Sequence, residues 1–280
     1  MSDVPVYSVA QVLDRFDGVL LDSYGVLVDG RGALPGAAAL LARLEATGTP
    51  WMVVSNDASR SVQASAERYA GLGLPIAPTQ ILLSAAMLAP HFAAERLSGA
   101  NTIVLGPPDS VRWAEDAGAA PVPWDDPEPD AVVVCDDEGY PFVEAVQAVI
   151  TTLARRLRHG HTPALVLPNP DLVYPTGSGG LALTAGTAAL VIERALWAVF
   201  GDAAPRFVPL GKPEPAIFLE ACRRIGVEGR AVVMLGDQLA TDVAGGNAAG
   251  LSTGLLGTGV AAPRIDGWPV RPDFVLPSLV

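Results

Sequence analysis

The chain has little that would bind a polyanion or cross-link itself. Only 18 of its 280 residues are lysine or arginine, against 30 aspartates and glutamates, for a formal net charge of −12. Nucleic acid and anionic membrane surfaces normally require a basic face, so neither is expected as a partner. The two cysteines, Cys135 and Cys222, lie far apart in apolar or helical surroundings. So low a count gives no disulfide framework; buried thiols in a reducing cytoplasm are the expectation. No basic stretch leads into an apolar one at the start, so no secretory leader is expected. Glycine, proline or charge cuts every longer apolar run short of a bilayer's width, and no membrane association is expected. Histidine is scarce too, at three residues. His159 and His161 stand one residue apart at a helix end with no third ligand nearby, which reads as a solvated terminus rather than a metal site. His91 reads as structural.

What is present suits a large core. Half the residues are hydrophobic and 17% are charged, a composition that argues against disorder. Short runs rich in Val, Leu and Ile fall at 18–21, 51–54, 102–105, 131–135, 164–167, 207–210, 231–235 and 251–256. They are nearly continuous rather than alternating, as strands buried on both faces should be. Between them, 35–46, 59–72, 141–158, 187–200, 215–224 and 241–249 carry helical periodicity, with Pro141 and Pro215 suited to a helix start. Strand and helix in alternation predict an α/β fold with a parallel sheet covered on both sides. Trp51, Trp113 and Trp197 read as core residues. Trp124, set among Pro and Asp, lines a lid or shields a loop.

Residues 99–184 read as a unit of their own, with strands, a long helix, an acidic Pro-rich loop at 121–130 and a glycine-rich exit at 177–180. The chain is therefore predicted to form a core from 1–98 and 185–280, with 99–184 inserted into it. The glycine-rich exit reads as a hinge or turn, since no lysine follows it as in a phosphate loop.

Polar residues sit directly after the predicted strands. Asp22 follows Gly-Val-Leu-Leu, Ser55 and Asn56 follow Trp-Met-Val-Val, and Asp237 follows Val-Val-Met-Leu-Gly. Open α/β sheets bind ligands at the carboxyl ends of their strands, so these residues could face one another across a crevice. Two carboxylates five apart, Asp237 and Asp242, repel at a strand-to-helix turn unless a cation joins them. Lys212 in Gly-Lys-Pro supplies a fixed positive charge. Each segment alone has an ordinary structural explanation, such as a helix cap at Ser55. Together they compose a site for phosphoryl transfer, in which a carboxylate attacks phosphorus and water hydrolyses the acyl phosphate. Such an attack brings anion to anion, and a Mg²⁺ held by carboxylates would neutralise the charge.

The four segments resemble the motifs of the haloacid dehalogenase superfamily. Gly-Val-Leu-Leu-Asp-Ser-Tyr-Gly is similar to the first, Val-Val-Ser-Asn to the second, Gly-Lys-Pro-Glu-Pro to the third and Leu-Gly-Asp-Gln-Leu-Ala-Thr-Asp to the fourth. Only 33 positions separate Asp22 from Ser55, whereas 157 separate Ser55 from Lys212. An insertion after the second motif resembles the class IIA branch, the nitrophenylphosphatase-like and nucleotide- or sugar-phosphatase-like enzymes. The resemblance implies a Rossmann-like core with an inserted α/β cap of the C2 type, acting as a cytoplasmic, Mg²⁺-dependent phosphatase on a small phosphorylated metabolite. It implies Asp22 as nucleophile, Asp22, Asp237 and the Tyr24 carbonyl as metal ligands, and Asp242 as a residue that ligates the metal directly or supports it through a metal-bound water. Ser23, Ser55, Asn56 and Lys212 would hold phosphate, and the cap residues Asn169 and Asp171 would meet the leaving group. The resemblance admits a cap-mediated homodimer and leaves the oligomeric state open.

One position departs from the pattern. Phosphatases of this superfamily carry an aspartate two residues after the nucleophile as general acid, and this chain carries Tyr24. Asp-x-Tyr-Gly is similar to the dehalogenases themselves, which use no metal and place their cap earlier. Three readings stay open: a substrate that needs little protonation, a proton from Tyr24 or the cap, or a weak relative that binds a phosphorylated ligand.

Overall fold

Val19, Leu20 and Leu21 have no exposed surface, and the strand they belong to, Gly18–Leu21, lies inside a six-stranded sheet. In the computed structural model, which describes residues 4–177, 179–257 and 269–280, the sheet runs Phe274–Leu276, Ser252–Leu256, Val232–Gly236, Gly18–Leu21, Trp51–Ser55 and Ile81–Leu83. Every pairing is parallel, with Leu21 opposite Leu235 on one side and Val53 on the other. The uninterrupted apolar runs follow from burial on both faces. Val19 and Leu21 join one cluster with Leu40 and Leu44 of the helix Ala37–Thr47. Leu20 points into another, with Ile217 and Phe218 of the helix Pro215–Ile225.

A second parallel sheet runs Val208–Pro209, Ala164–Leu167, Ala131–Val134, Asn101–Leu105 and Ala120–Val122. One face is covered by the helices Phe142–Arg158 and Ala185–Phe200, which bury Val149, Leu153, Ile192 and Leu196 against Ile103, Leu105 and Val132. The other face is not separate from the first sheet. Val133, Cys135 and Val166 belong to the cluster that holds Leu20, Met52 and Phe218.

The sequence places the return to the first sheet at residue 185; in the structure the second sheet's elements run on to Pro209. Helical periodicity at 187–200 marks an apolar stripe but does not say which sheet it covers. Trp197 also departs from expectation, with 48% of its surface exposed; it lies off the stripe made by Ile192 and Leu196. Short elements absent from the sequence reading include the strands Ile81–Leu83 and Phe274–Leu276, the helix Pro108–Asp116 and a hairpin of Val173–Pro175 with Leu181–Leu183. The glycine-rich 177–180 segment forms that hairpin's turn, apart from residue 178, which lies outside the described residues. Both cysteines are free and buried. No helix among the described residues is long and apolar enough to cross a membrane.

Candidate active site

Asp22 stands one residue beyond Gly18–Leu21, and Ser55 ends the neighbouring strand Trp51–Ser55. Asp237 follows Val232–Gly236 on the other side of Asp22. Parallel strands aligned in register bring their carboxyl ends together, so residues far apart in sequence meet at one edge. The chain turns sharply after Asp22, with Leu27 and Val28 N–H groups both donating to the Ser23 carbonyl. Gly25 makes this turn at φ 86°, and a Cβ there would lie 2.2 Å from Asp237 Oδ2. Only glycine permits both the backbone angle and the approach of the carboxylate.

Asp22, Asp237 and Asp242 are all buried, and each offers a carboxylate oxygen within 4.8 Å of the others. Asp242 sits in the π-helical turn Leu239–Val243, which leads into the helix Ala244–Ala248. Lys212 Nζ donates to Asp22 Oδ1 at 2.6 Å and to Asp242 Oδ1 at 2.7 Å. Burial raises the Asp22 pKa well above the usual carboxylate range. The Asp242 charge adds to that rise, and Lys212 opposes it. For Lys212 burial works against the charged form, but Asp22 and Asp242 outweigh it and raise its pKa. Three buried carboxylates that converge within ligand distance of one another are a donor set that suits a hard, oxygen-seeking divalent cation. The donor set therefore fits Mg²⁺ or Ca²⁺.

Asn56 does more than the sequence suggests. Its Oδ1 accepts from the Lys212 N–H at 2.7 Å, while Nδ2 donates to the Lys212 carbonyl and to Asp171 Oδ1, both at 3.0 Å. The side chain ties the lysine loop and the second sheet to the strand end of the first. Asn169 Oδ1 accepts from the Asp171 N–H at 3.1 Å, so these two residues form one turn facing the site. Burial raises the Asp171 pKa against the opposing effects of Lys212 and Asn56. The Ser23 and Tyr69 hydroxyls lie 2.5 Å apart.

The Tyr24 hydroxyl donates to the Pro175 carbonyl of the hairpin. Burial first, then the Asp29 charge, raises its pKa. A phenol so placed holds its proton on the hairpin, which disfavours the reading of Tyr24 as proton donor.

Asp22, Ser23, Ser55, Asn56, Asn169, Asp171 and Lys212 all line one cavity of about 240 Å³. Its wall also includes Arg60, which stands in a Ser-Arg-Ser segment that agrees with the family resemblance, and Arg68, Tyr69 and Asp136, which the sequence motifs do not single out. One signal was available for the lysine: Lys212 is the chain's single lysine among 18 basic residues. For Asp136, burial and then the Asp137 side chain push the pKa up to about 6.

Residues 19–120 match the family described as haloacid dehalogenase-like hydrolase, and residues 209–280 match a HAD-hydrolase-like family. The chain is 31% identical to dihydroxyacetone phosphatase of Corynebacterium glutamicum over 263 residues, 93% of this chain and 88% of that one. A crystal structure from Cytophaga hutchinsonii, described as a "possible sugar phosphatase", superposes with a TM-score of 0.85 at 28% identity, covering 99% of both chains. Glycerol phosphate phosphatase of Mycobacterium tuberculosis, solved with calcium, gives a TM-score of 0.78 at 27% identity, covering 98% of this chain and 75% of that one.

Proposed function

Because this chain belongs to the haloacid dehalogenase-like hydrolases, as a class IIA phosphatase acting on phosphate monoesters, we propose that Asp22 is its nucleophile and a small phosphorylated metabolite its substrate. The observation that carries this reading is the buried junction of Asp22, Asp237, Asp242 and Lys212 at the carboxyl ends of parallel strands. Asp22 attacks phosphorus, the bond from phosphorus to the ester oxygen breaks, the leaving oxygen takes its proton from solvent, and water then hydrolyses the acyl phosphate to return the carboxylate and free phosphate. Lys212 and the Ser55 hydroxyl hold the non-bridging oxygens, with backbone N–H groups of Ser23 and Asn56 beside them. Asn56 keeps Lys212 in place through its paired hydrogen bonds.

Asp22, Asp237, Asp242 and the Tyr24 carbonyl would hold Mg²⁺. When bound, the ion neutralises charge between nucleophile and phosphate. The calcium in the mycobacterial relative supports a divalent site of this kind. The cap is read as 101–209 rather than 99–184, since its sheet includes Val208–Pro209.

The named relatives act on dihydroxyacetone phosphate and glycerol phosphate, and a cavity of about 240 Å³ suits ligands of triose to sugar size. With the Tyr24 hydroxyl committed to the Pro175 carbonyl, the best substrates are those whose leaving group departs with little acid assistance. Phosphate release from dihydroxyacetone phosphate, glycerol 3-phosphate and p-nitrophenyl phosphate tests the reading. Asp22→Asn is expected to lose at least about 10⁴-fold in kcat, and chelator to abolish turnover. Activity surviving in Asp22→Asn would overturn the nucleophile; activity surviving in EDTA would overturn the metal.

A further inference from the structure

Beside the cavity that holds Asp22 lies a larger one, of about 520 Å³, bordered by Asp29, Arg31, Leu34, Gly177 and Leu181. Among the described residues, Tyr24 and Pro175 are the two that line both cavities. They are also bonded to each other, Tyr24 Oη to the Pro175 carbonyl. The partition between the chambers is therefore one side chain of the core closed on one carbonyl of the cap hairpin. Tyr174 packs edge-on against the Tyr24 ring, with centroids 6.3 Å apart, and thickens the wall on the Asp22 side. Alongside it the hairpin turn rests directly on the core. A Cβ on Gly177 would lie 2.3 Å from the Gly30 carbonyl oxygen, and one on Gly30 would lie 2.1 Å from the Gly177 nitrogen. Two glycines face to face let the backbones touch, and that contact brings Pro175 within reach of Tyr24.

We propose that Tyr24 is a specificity-determining residue: its ring, latched to Pro175, confines the leaving group to the smaller chamber and excludes large phosphate esters. This rests on the phosphatase reading above and adds the size limit. The tyrosine that stands in place of an acid thus sets where the pocket ends. Removing the ring joins the chambers, so that a bulky leaving group can extend past Pro175 toward Asp29 and Arg31.

The test compares kcat/KM for two primary alkyl phosphates, glycerol 3-phosphate and adenosine 5′-monophosphate. Their leaving groups are both primary alkoxides, so any difference in proton supply cancels in the ratio. Tyr24→Ala is expected to raise the ratio of large to small ester by about tenfold or more. Tyr24→Phe keeps the ring but loses the latch, and should raise the ratio less. Gly177→Ala pushes the hairpin off Gly30 without touching Tyr24, and should shift the ratio the same way; it carries the test if Tyr24→Ala does not fold. An unchanged ratio in an active, folded Tyr24→Ala or Gly177→Ala overturns the size limit and leaves the phosphatase reading standing. Should the unmodified chain hydrolyse neither ester, the phosphatase reading fails only if p-nitrophenyl phosphate is not hydrolysed either. Calorimetric affinities for the same two esters then decide the partition, and an unchanged affinity ratio overturns it.

Discussion

Lys212 is buried between two carboxylates, and every contact it makes draws on a different part of the chain. Nothing in Gly-Lys-Pro says that the ammonium will reach Asp22 and Asp242; the motif shows a lysine at a helix entrance and no more. Asp136 is the opposite case, a residue the motifs leave out and the fold carries into the cavity wall. Burial, then Asp137, raises its pKa to about 6, above the ordinary carboxylate value it has when unfolded. Between those two values the folded state binds more protons, so stability falls as pH rises through this window. Asp136→Asn removes the titration. Its thermal midpoint is expected to exceed that of the unmodified chain at pH 7.5, with the gap closing by pH 4. Equal midpoints at pH 7.5 would show that the carboxylate costs nothing there.

At the scale of elements, the turn after Gly18–Leu21 is the most demanding piece of backbone. It reverses the chain at Gly25 with a positive φ and leaves no room for a Cβ beside Asp237. Gly25→Ala must strain the backbone and displace the carboxylate together. It is expected to lower kcat by about 10²-fold or more while the far-ultraviolet circular dichroism stays unchanged, since misplacement of about 1 Å costs that much. Full activity in Gly25→Ala would mean that Asp237 does not need its present position. The strands and helices of the core were legible as apolar runs and stripes at 18–21, 51–54, 231–235 and 251–256. The three-residue strands Ile81–Leu83 and Phe274–Leu276 were not, because so few residues carry no period. The hairpin Val173–Pro175 with Leu181–Leu183 escaped notice for the same reason, though it bears the carbonyl that meets Tyr24.

At the scale of the molecule, three buried carboxylates, Asp22, Asp237 and Asp242, converge at one point, and that convergence links metal binding to stability. A ligand at about 100 times its dissociation constant stabilises the folded state by about 2.7 kcal/mol. For a chain of this size that corresponds to a midpoint rise of roughly 5–10 °C. Scanning fluorimetry with Mg²⁺ and with EDTA should show the rise, and Asp237→Asn should remove it. A midpoint indifferent to Mg²⁺ at millimolar concentration would count against the metal site. The two sheets also act on stability together, since Val133, Cys135 and Val166 of the second complete a cluster begun by Leu20 and Phe218 of the first.

The sequence by itself determined the class of fold and the parallel sheet, and it picked out an insertion and the candidate set Asp22, Ser55, Lys212, Asp237 and Asp242. It could do so because apolar runs record burial, and because chemistry at strand ends leaves polar residues directly after those runs. It also showed that Tyr24 occupies a place where an acid is usual. Only the tertiary structure decided what the Tyr24 hydroxyl meets, where the second sheet ends, and that Asn56 fastens Lys212 and Asp171 at once. The first and last of these depend on contacts between residues more than a hundred positions apart, Tyr24 with Pro175 and Asn56 with Lys212. No local period or spacing encodes such a contact. It exists only once two sheets have packed and their loops face each other.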